Sequence, residues 1–140
     1  MKEKCDLTID DFTTPFPVMV GPASTIVEAF TIMQEEGIRH LPVVDDGQVV
    51  GVVSDRDLRI YIGKEWSRRM TVGEIMQRSP MGVPVGTPLG EAAFLMASYK
   101  LGSLLVYDEQ ERLDGIFTDT DALNALVELT RGVGGRRLHR

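Results

Sequence analysis

Apolar positions along this chain switch between two periods, and the switch occurs twice in the same order. Ile26, Ala29, Phe30 and Met33 fall at i, i+3, i+4 and i+7, the spacing of one buried helical face. Ser24 or Thr25 precedes them as an N-cap, and Gly37 follows where a left-handed residue commonly ends a helix. Pro15 and Pro17 keep the preceding segment, through Val20, extended. After Gly37 the period shortens: residues 40–44 and 48–53 read as two strands joined at Asp45-Asp46-Gly47, a hairpin turn. Ser54 or Asp55 then caps a closing helix from Arg56 to about Ile62. The second pass repeats this. Thr87 caps a helix with Leu89, Ala92, Ala93 and Met96 on one face, and residues 104–107 and 113–117 pair around a turn at 108–111. Asp119-Thr120 opens a last helix that ends near Leu129.

The two passes are a sequence repeat. With a shift of 63, Thr8-Ile9-Asp10-Asp11-Phe12 falls on Thr71-Val72-Gly73-Glu74-Ile75, Pro17 on Pro80, Val20 on Val83, and Glu28-Ala29 on Glu91-Ala92. Met33 falls on Met96, and Leu41, Val43 and Asp45 on Leu104, Val106 and Asp108. One extra residue near Gln110-Glu111 lengthens the shift to 64, which places Gly51-Val52-Val53-Ser54-Asp55-Arg56-Asp57 over Gly115-Ile116-Phe117-Thr118-Asp119-Thr120-Asp121. Fixed-period self-similarity decides the architecture before any single motif does. Two units of this size are each marginal alone and must bury their apolar faces against one another. The expected division is a first repeat with its leading segment and linker over 1–69, a second over 70–129, and a basic tail over 130–140.

Composition narrows the class. At 140 residues, 43% hydrophobic and 26% charged, the chain reads as an ordinary globular protein. A net charge of −6 disfavours non-specific nucleic-acid binding by the body of the protein. The single cysteine, Cys5, forms no internal disulfide, which fits a reducing compartment. No apolar run approaches the ~20 residues of a membrane span, and the first residues lack a secretory signal's apolar core, so the cytoplasm is the expected location.

Together these features resemble a tandem cystathionine-β-synthase (CBS) domain pair, often called a Bateman module. The residues that carry the resemblance are Pro17 and Val20, Glu28-Ala29, Gly37-Ile38-Arg39-His40-Leu41-Pro42-Val43-Val44-Asp45, and Gly51 to Asp57. Copy two carries Pro80, Val83, Glu91-Ala92, Leu104, Val106, Asp108 and Gly115 to Asp121. It departs at Gly102-Ser103-Leu104-Leu105, which replaces Arg39-His40-Leu41-Pro42 and so lacks the basic pair and the proline. The resemblance implies an α/β fold, an α+β sandwich of two β-α-β-β-α repeats packed sheet to sheet with pseudo-two-fold symmetry. It also implies a homodimer that binds an adenosine-containing ligand in the cleft between repeats.

The motif's chemistry agrees with such a ligand. A helix start offers backbone N–H groups and partial positive charge to phosphate, and Ser54 or Thr118 adds a hydroxyl. A carboxylate repels phosphate but accepts two hydrogen bonds from a vicinal diol, so Asp57 and Asp121 suit a ribose. With the residues that the resemblance carries over, the first candidate site is Val20, Ile38, Arg39, His40, Pro42, Ser54, Arg56 and Asp57. The second, weaker one is Val83, Ser103, Leu104, Thr118, Thr120 and Asp121. The competing reading makes Ser54, Asp55, Thr118 and Asp119 helix caps only, and Asp57 half of an exposed ion pair. No cofactor is required. The resemblance implies an adenine nucleotide, AMP, ADP or ATP, as the expected regulatory ligand, with S-adenosylmethionine as a further candidate.

The remaining features point away from catalysis. There is no nucleophile–base pair, P-loop or metal-ligand cluster, His40 and His139 being isolated. Met33, Met76 and Met96 read as packing, Trp66 as a residue holding down the linker, and Cys5 as unactivated. Residues 131–140 hold four further arginines among glycines beyond the last helix start, a mobile terminus or a docking segment for an acidic partner or nucleic acid. The expected function is that of a stand-alone regulator signalling to an unidentified protein partner. The alternative is a ligand-free interaction or dimerisation module with degenerate pockets.

Overall fold

The computed structural model describes residues 7–15 and 17–131; Cys5 and the tail from 132 onward lie outside the described residues. In chain order the elements are a single 3₁₀ turn (Ile9–Asp11), β1 (Thr14–Pro15), α1 (Ile26–Glu36), β2 (His40–Asp45), β3 (Gln48–Ser54) and α2 (Asp55–Arg59). A 3₁₀ turn (Glu65–Arg69) leads to α3 (Val72–Ile75), β4 (Gln77–Arg78), β5 (Gly82–Pro84), α4 (Leu89–Tyr99), β6 (Ser103–Tyr107), β7 (Leu113–Thr118) and α5 (Asp119–Arg131). Among the described residues no helix is long and apolar enough to cross a membrane.

Packing divides the chain differently from the sequence period. One compact unit is residues 17–80; the other joins residues 7–15 to residues 81–131. Each repeat's leading segment therefore completes the unit built mainly by the other repeat. In the unit of residues 17–80, the Val72 N–H donates to the Ser24 carbonyl (2.8 Å) and the Ile26 N–H to that of Met70 (3.1 Å). β4 then pairs with β3, Val52 opposite Gln77 and Gly51 opposite Arg78. In the other unit the same bonds recur with the repeats exchanged. The Ile9 N–H donates to Thr87 (3.0 Å), the Leu89 N–H to Leu7 (2.9 Å), and β1 pairs with β7, Thr14 opposite Ile116 and Pro15 opposite Gly115.

This exchange explains the glycine that opens both motif copies. A Cβ on Gly51 would stand 2.6 Å from the Met76 Sδ and 2.8 Å from the Gln77 carbonyl oxygen. One on Gly115 would stand 2.5 Å from the Thr13 methyl and 2.7 Å from the Thr14 carbonyl oxygen. Only glycine admits the incoming segment this closely.

The unit of residues 17–80 holds a three-stranded antiparallel sheet in the order β2-β3-β4. Its core gathers Ile26, Ala29 and Met33 of α1 with Leu41, Val43, Val53, Leu58 and Val72. Phe30 packs on that cluster while partly exposed. Thr25 is the N-cap, in a reciprocal capping box with Glu28, and Gly37 ends α1 at φ 68°. The closing helix is shorter than its sequence suggests. It stops at Arg59 because the Tyr61 N–H turns to the Leu58 carbonyl and the chain reaches Gly63 at φ 94°.

The other unit holds a mixed sheet in the order β1-β7-β6-β5, with β5 parallel to β6. Ile9, Phe12, Val83, Leu89, Ala92, Met96, Leu104, Val106 and Phe117 form its core with Ala125. Two expectations are corrected here. Thr87 does not cap α4: Pro88, with φ fixed near −58°, takes the N-cap, and the buried Thr87 hydroxyl donates to the Pro84 carbonyl (2.7 Å). Ala93 is exposed, since the buried face of α4 is the narrower stripe Leu89, Ala92 and Met96.

Candidate functional site

The duplicated motif lies where the second strand of each hairpin runs into a helix, and the backbone builds the two turns alike. In the unit of residues 17–80, His40 stands opposite Ser54 in the β2–β3 register, and the Asp55 N–H donates to the Arg39 carbonyl (2.8 Å). In the other unit Ser103 stands opposite Thr118, and the Asp119 N–H donates to the Gly102 carbonyl (2.9 Å). The loop before the hairpin's first strand is thus tied to the first turn of the closing helix.

Strand alternation sorts the candidates by face. Leu41, Val43 and Val53 point into the core, so His40, Pro42, Val52 and Ser54 share the opposite face. Pro42 is buried, His40 and Ile38 are partly so, and Arg39 and Arg56 are exposed. Val20 lies beside β2, paired in parallel with Val43; its N–H donates to Pro42 (3.1 Å) and its carbonyl accepts from Val44 (2.8 Å). That puts it three residues from His40 along the strand, about 10 Å at strand rise. The fold therefore gathers Arg39, His40, Ser54, Arg56 and Asp57 at the turn, places Pro42 further along the sheet, and buries Val20 in the core cluster of that unit.

The second set is gathered less completely. Ser103, Thr118, Thr120 and Asp121 meet at the turn, but the side chains of Leu104 and Val83 belong to the core cluster with Phe117. Leu104 is fully buried on the face opposite Ser103 and Thr118.

Hydrogen bonding distinguishes the two turns chemically. Ser54 and Asp57 form a capping box: the Ser54 N–H donates to Asp57 Oδ2 (3.1 Å) and the Asp57 N–H to Ser54 Oγ (3.2 Å). The Asp55 amide is used by Arg39, which leaves the Arg56 N–H with no acceptor among the described residues. The Ser54 hydroxyl proton is likewise uncommitted, and Asp57 is partly exposed. At the second turn Asp121 Oδ2 accepts from the Thr118 N–H (2.8 Å) and from the Thr118 hydroxyl (3.1 Å). The Asp121 N–H donates to Thr118 Oγ1 (3.3 Å), the Thr120 N–H to Asp119 Oδ1 (2.8 Å), and the Asp119 N–H to Gly102. All three first-turn amides and the hydroxyl are committed there, and Asp121 is 1% exposed.

A free amide, a free hydroxyl proton and an accessible carboxylate at one turn can receive an anion and a diol side by side. The first turn offers that set; the second is closed on itself. Sequence spacing located both turns, but which amides stay free depends on backbone bonds that spacing does not report.

Comparison with known proteins places these turns in context. The CBS domain model matches twice, over residues 9–64 and 72–128. The crystal structure of CBSX2 in complex with AMP, a protein of Arabidopsis thaliana, matches with a TM-score of 0.74 at 34% identity, covering 89% of this chain and 98% of that one. The CBS domain pair of MJ0100, in complex with 5′-methylthioadenosine and S-adenosyl-L-methionine, matches with a TM-score of 0.77 at 26% identity, covering 86% and 95%. An uncharacterized protein of Methanocaldococcus jannaschii is 31% identical over 127 residues, which span 82% of this chain and 45% of that relative's length.

Proposed function

The chain belongs to the CBS-domain family and carries two copies in tandem, and we propose that it is a regulator that binds an adenosyl ligand, AMP, ADP or ATP, at the turn formed by Ser54, Arg56 and Asp57. The observation that carries this reading is the set of groups at that turn: the Arg56 N–H and the Ser54 hydroxyl proton, neither with an acceptor among the described residues, and the partly exposed Asp57, which accepts from the Ser54 N–H through Oδ2. Phosphate suits the first two and ribose suits the third. Arg39 and His40, held beside the turn, supply the cationic and hydrogen-bonding groups that a phosphate chain needs. Two relatives reported with adenosyl compounds, CBSX2 with AMP and the MJ0100 pair with 5′-methylthioadenosine and S-adenosyl-L-methionine, support the ligand class. S-adenosylmethionine is a further candidate of the same adenosyl class.

The regulator acts on a partner protein and performs no chemistry of its own. It self-associates through helices of the unit formed by residues 7–15 and 81–131, where Phe94 and Tyr99 of α4 and Leu123 and Leu126 of α5 stand exposed. The second reading, an interaction module without ligand, draws on a specific observation: both Asp residues already serve capping boxes, which account for their presence unaided.

A thermal-shift panel of AMP, ADP, ATP, S-adenosylmethionine and NAD separates the two. A bound ligand at a hundred times its dissociation constant stabilises the fold by about 2.7 kcal/mol, a rise of several degrees. No rise for any of them leaves the interaction module.

A further inference from the structure

The segment that joins α2 to α3 is built unlike anything in the second repeat. At the equivalent positions of copy two, α5 continues as regular helix and buries Asn124 where copy one has Ile60. Copy one instead leaves the helix after Arg59 and exposes Ile60 (63%) and Trp66 (51%). The expectation that Trp66 holds the linker down is met only in part: its ring meets Tyr61 edge-on at 6.0 Å, and half of it faces solvent.

The segment is nevertheless held by its own hydrogen bonds. The Lys64 N–H donates to Tyr61, the Ser67 N–H and hydroxyl to Lys64, and the Met70 N–H to Ser67, with Ser67 buried beneath. Arg59 lies 5.3 Å from the Phe30 ring centre and pairs with Asp55. Lys64, Arg68 and Arg69 are exposed and make no ion pair among the described residues. Two large exposed apolar side chains beside three cations without ion pairs, with one exposed carboxylate, Glu65, among them, stand out on a chain of net charge −6. Exposed apolar side chains that the core does not need mark interaction surfaces, and Trp and Arg dominate the energetics of such surfaces.

We propose that residues 60–69 form a docking surface for an acidic peptide segment of a partner protein, in which an apolar side chain seats against Ile60 and Trp66 while flanking carboxylates meet Lys64, Arg68 and Arg69. Charge complementarity selects this occupant over nucleic acid, because the rest of the chain repels a long polyanion while a short acidic segment meets only residues 60–69, where Lys64, Arg68 and Arg69 outnumber the one carboxylate, Glu65. The surface lies outside the motif turn, so the inference does not rest on nucleotide binding.

The test pans a random twelve-residue peptide library displayed on phage against the full chain without nucleotide, in parallel with the R68E/R69E variant. Enrichment of acidic sequences carrying a large apolar residue, lost on the variant, is expected. A synthetic copy of an enriched peptide shifts the emission of Trp66, the chain's one tryptophan, and R68E/R69E weakens its binding at least about ten-fold, as expected for loss of two charge-assisted contacts. No enrichment, enrichment of basic or neutral sequences, or retention on the variant overturns the proposal. So does tighter binding of single-stranded DNA than of the peptide. Loss of self-association in R68E/R69E by sedimentation velocity, with the melting temperature unchanged, also overturns it by assigning the face to a second copy.

Discussion

Gly51→Ala tests the exchange of leading segments, because the added methyl meets that segment before anything else. Its Cβ would stand 2.6 Å from the Met76 Sδ and 2.8 Å from the Gln77 carbonyl oxygen, where ordinary contact begins near 3.4 Å. The thioether can swing away, but the carbonyl is backbone and sits in the two-residue ladder of β4 against β3. Relief requires β4 to shift, which strains or breaks that ladder. Overpacking of this kind costs about 1–3 kcal/mol, and a backbone obstacle puts the cost near the upper half, about 2 kcal/mol. For a chain of this length that lowers the melting temperature by about 8 °C. Gly115→Ala meets the Thr13 methyl and the Thr14 carbonyl oxygen in the same way and should fall by a similar amount. Gly90→Ala is the control: it lies in the first turn of α4 with nothing within 4 Å of its Cβ. It should gain about 0.5–1 kcal/mol as alanine replaces glycine in a helix. Urea unfolding of the three variants decides the matter. If Gly51→Ala and Gly115→Ala match wild type while Gly90→Ala is stabilised, the leading segments do not pack as described.

The remaining predictions are briefer. Lys100 ends α4 at φ 56°, where Gly37 ends α1 at φ 68°; Lys100→Gly should raise unfolding stability by about 1 kcal/mol, and an unchanged urea midpoint would refute the strain. Asp108 has its carboxyl held below the usual range, first by the Arg112 backbone N–H; desolvation, the next largest cause, opposes this, and the Gln110 N–H and the Arg112 guanidinium add to the lowering. A lowered folded-state value means that its stabilisation is present above the ordinary carboxylate value of 3.8 and is lost as the pH falls through the lower folded one. The stability gap between wild type and Asp108→Asn should therefore be open at pH 6 and close on acidification below pH 3.8, and a gap independent of pH would contradict it.

The fold was legible where local rules decide it. The helical face Ile26, Ala29 and Met33, the αL glycine at 37, the hairpin at Asp46-Gly47 and the two motif turns follow from periodicity and turn chemistry, and each is present. Two of the misses share a cause, competition from a neighbour. Pro88 displaced Thr87 from the cap, and bonds after Leu58 ended α2 early. The exchanged segments were beyond reach for a different reason. The repeat equates Thr8-Ile9 with Thr71-Val72, and both are turn starts, but a period does not say which copy a segment packs against. The candidate sites divide likewise. Spacing placed Ser54, Asp57, Thr118 and Asp121 at the strand–helix turns where they stand, whereas Leu104 belongs to the core because strand alternation turns it away from Ser103.

Isothermal titration calorimetry of AMP against wild type, Asp57→Asn and Asp121→Asn tests the central claim most directly. Asparagine keeps an acceptor for the Ser54 N–H, so the cap survives while the charge is lost. Binding at the first turn predicts that Asp57→Asn weakens AMP by about ten-fold, the loss of one charge-assisted hydrogen bond near 1.4 kcal/mol, while Asp121→Asn changes it less. Unchanged affinity in Asp57→Asn, or a larger loss in Asp121→Asn, would contradict the assignment of the ligand to Ser54, Arg56 and Asp57.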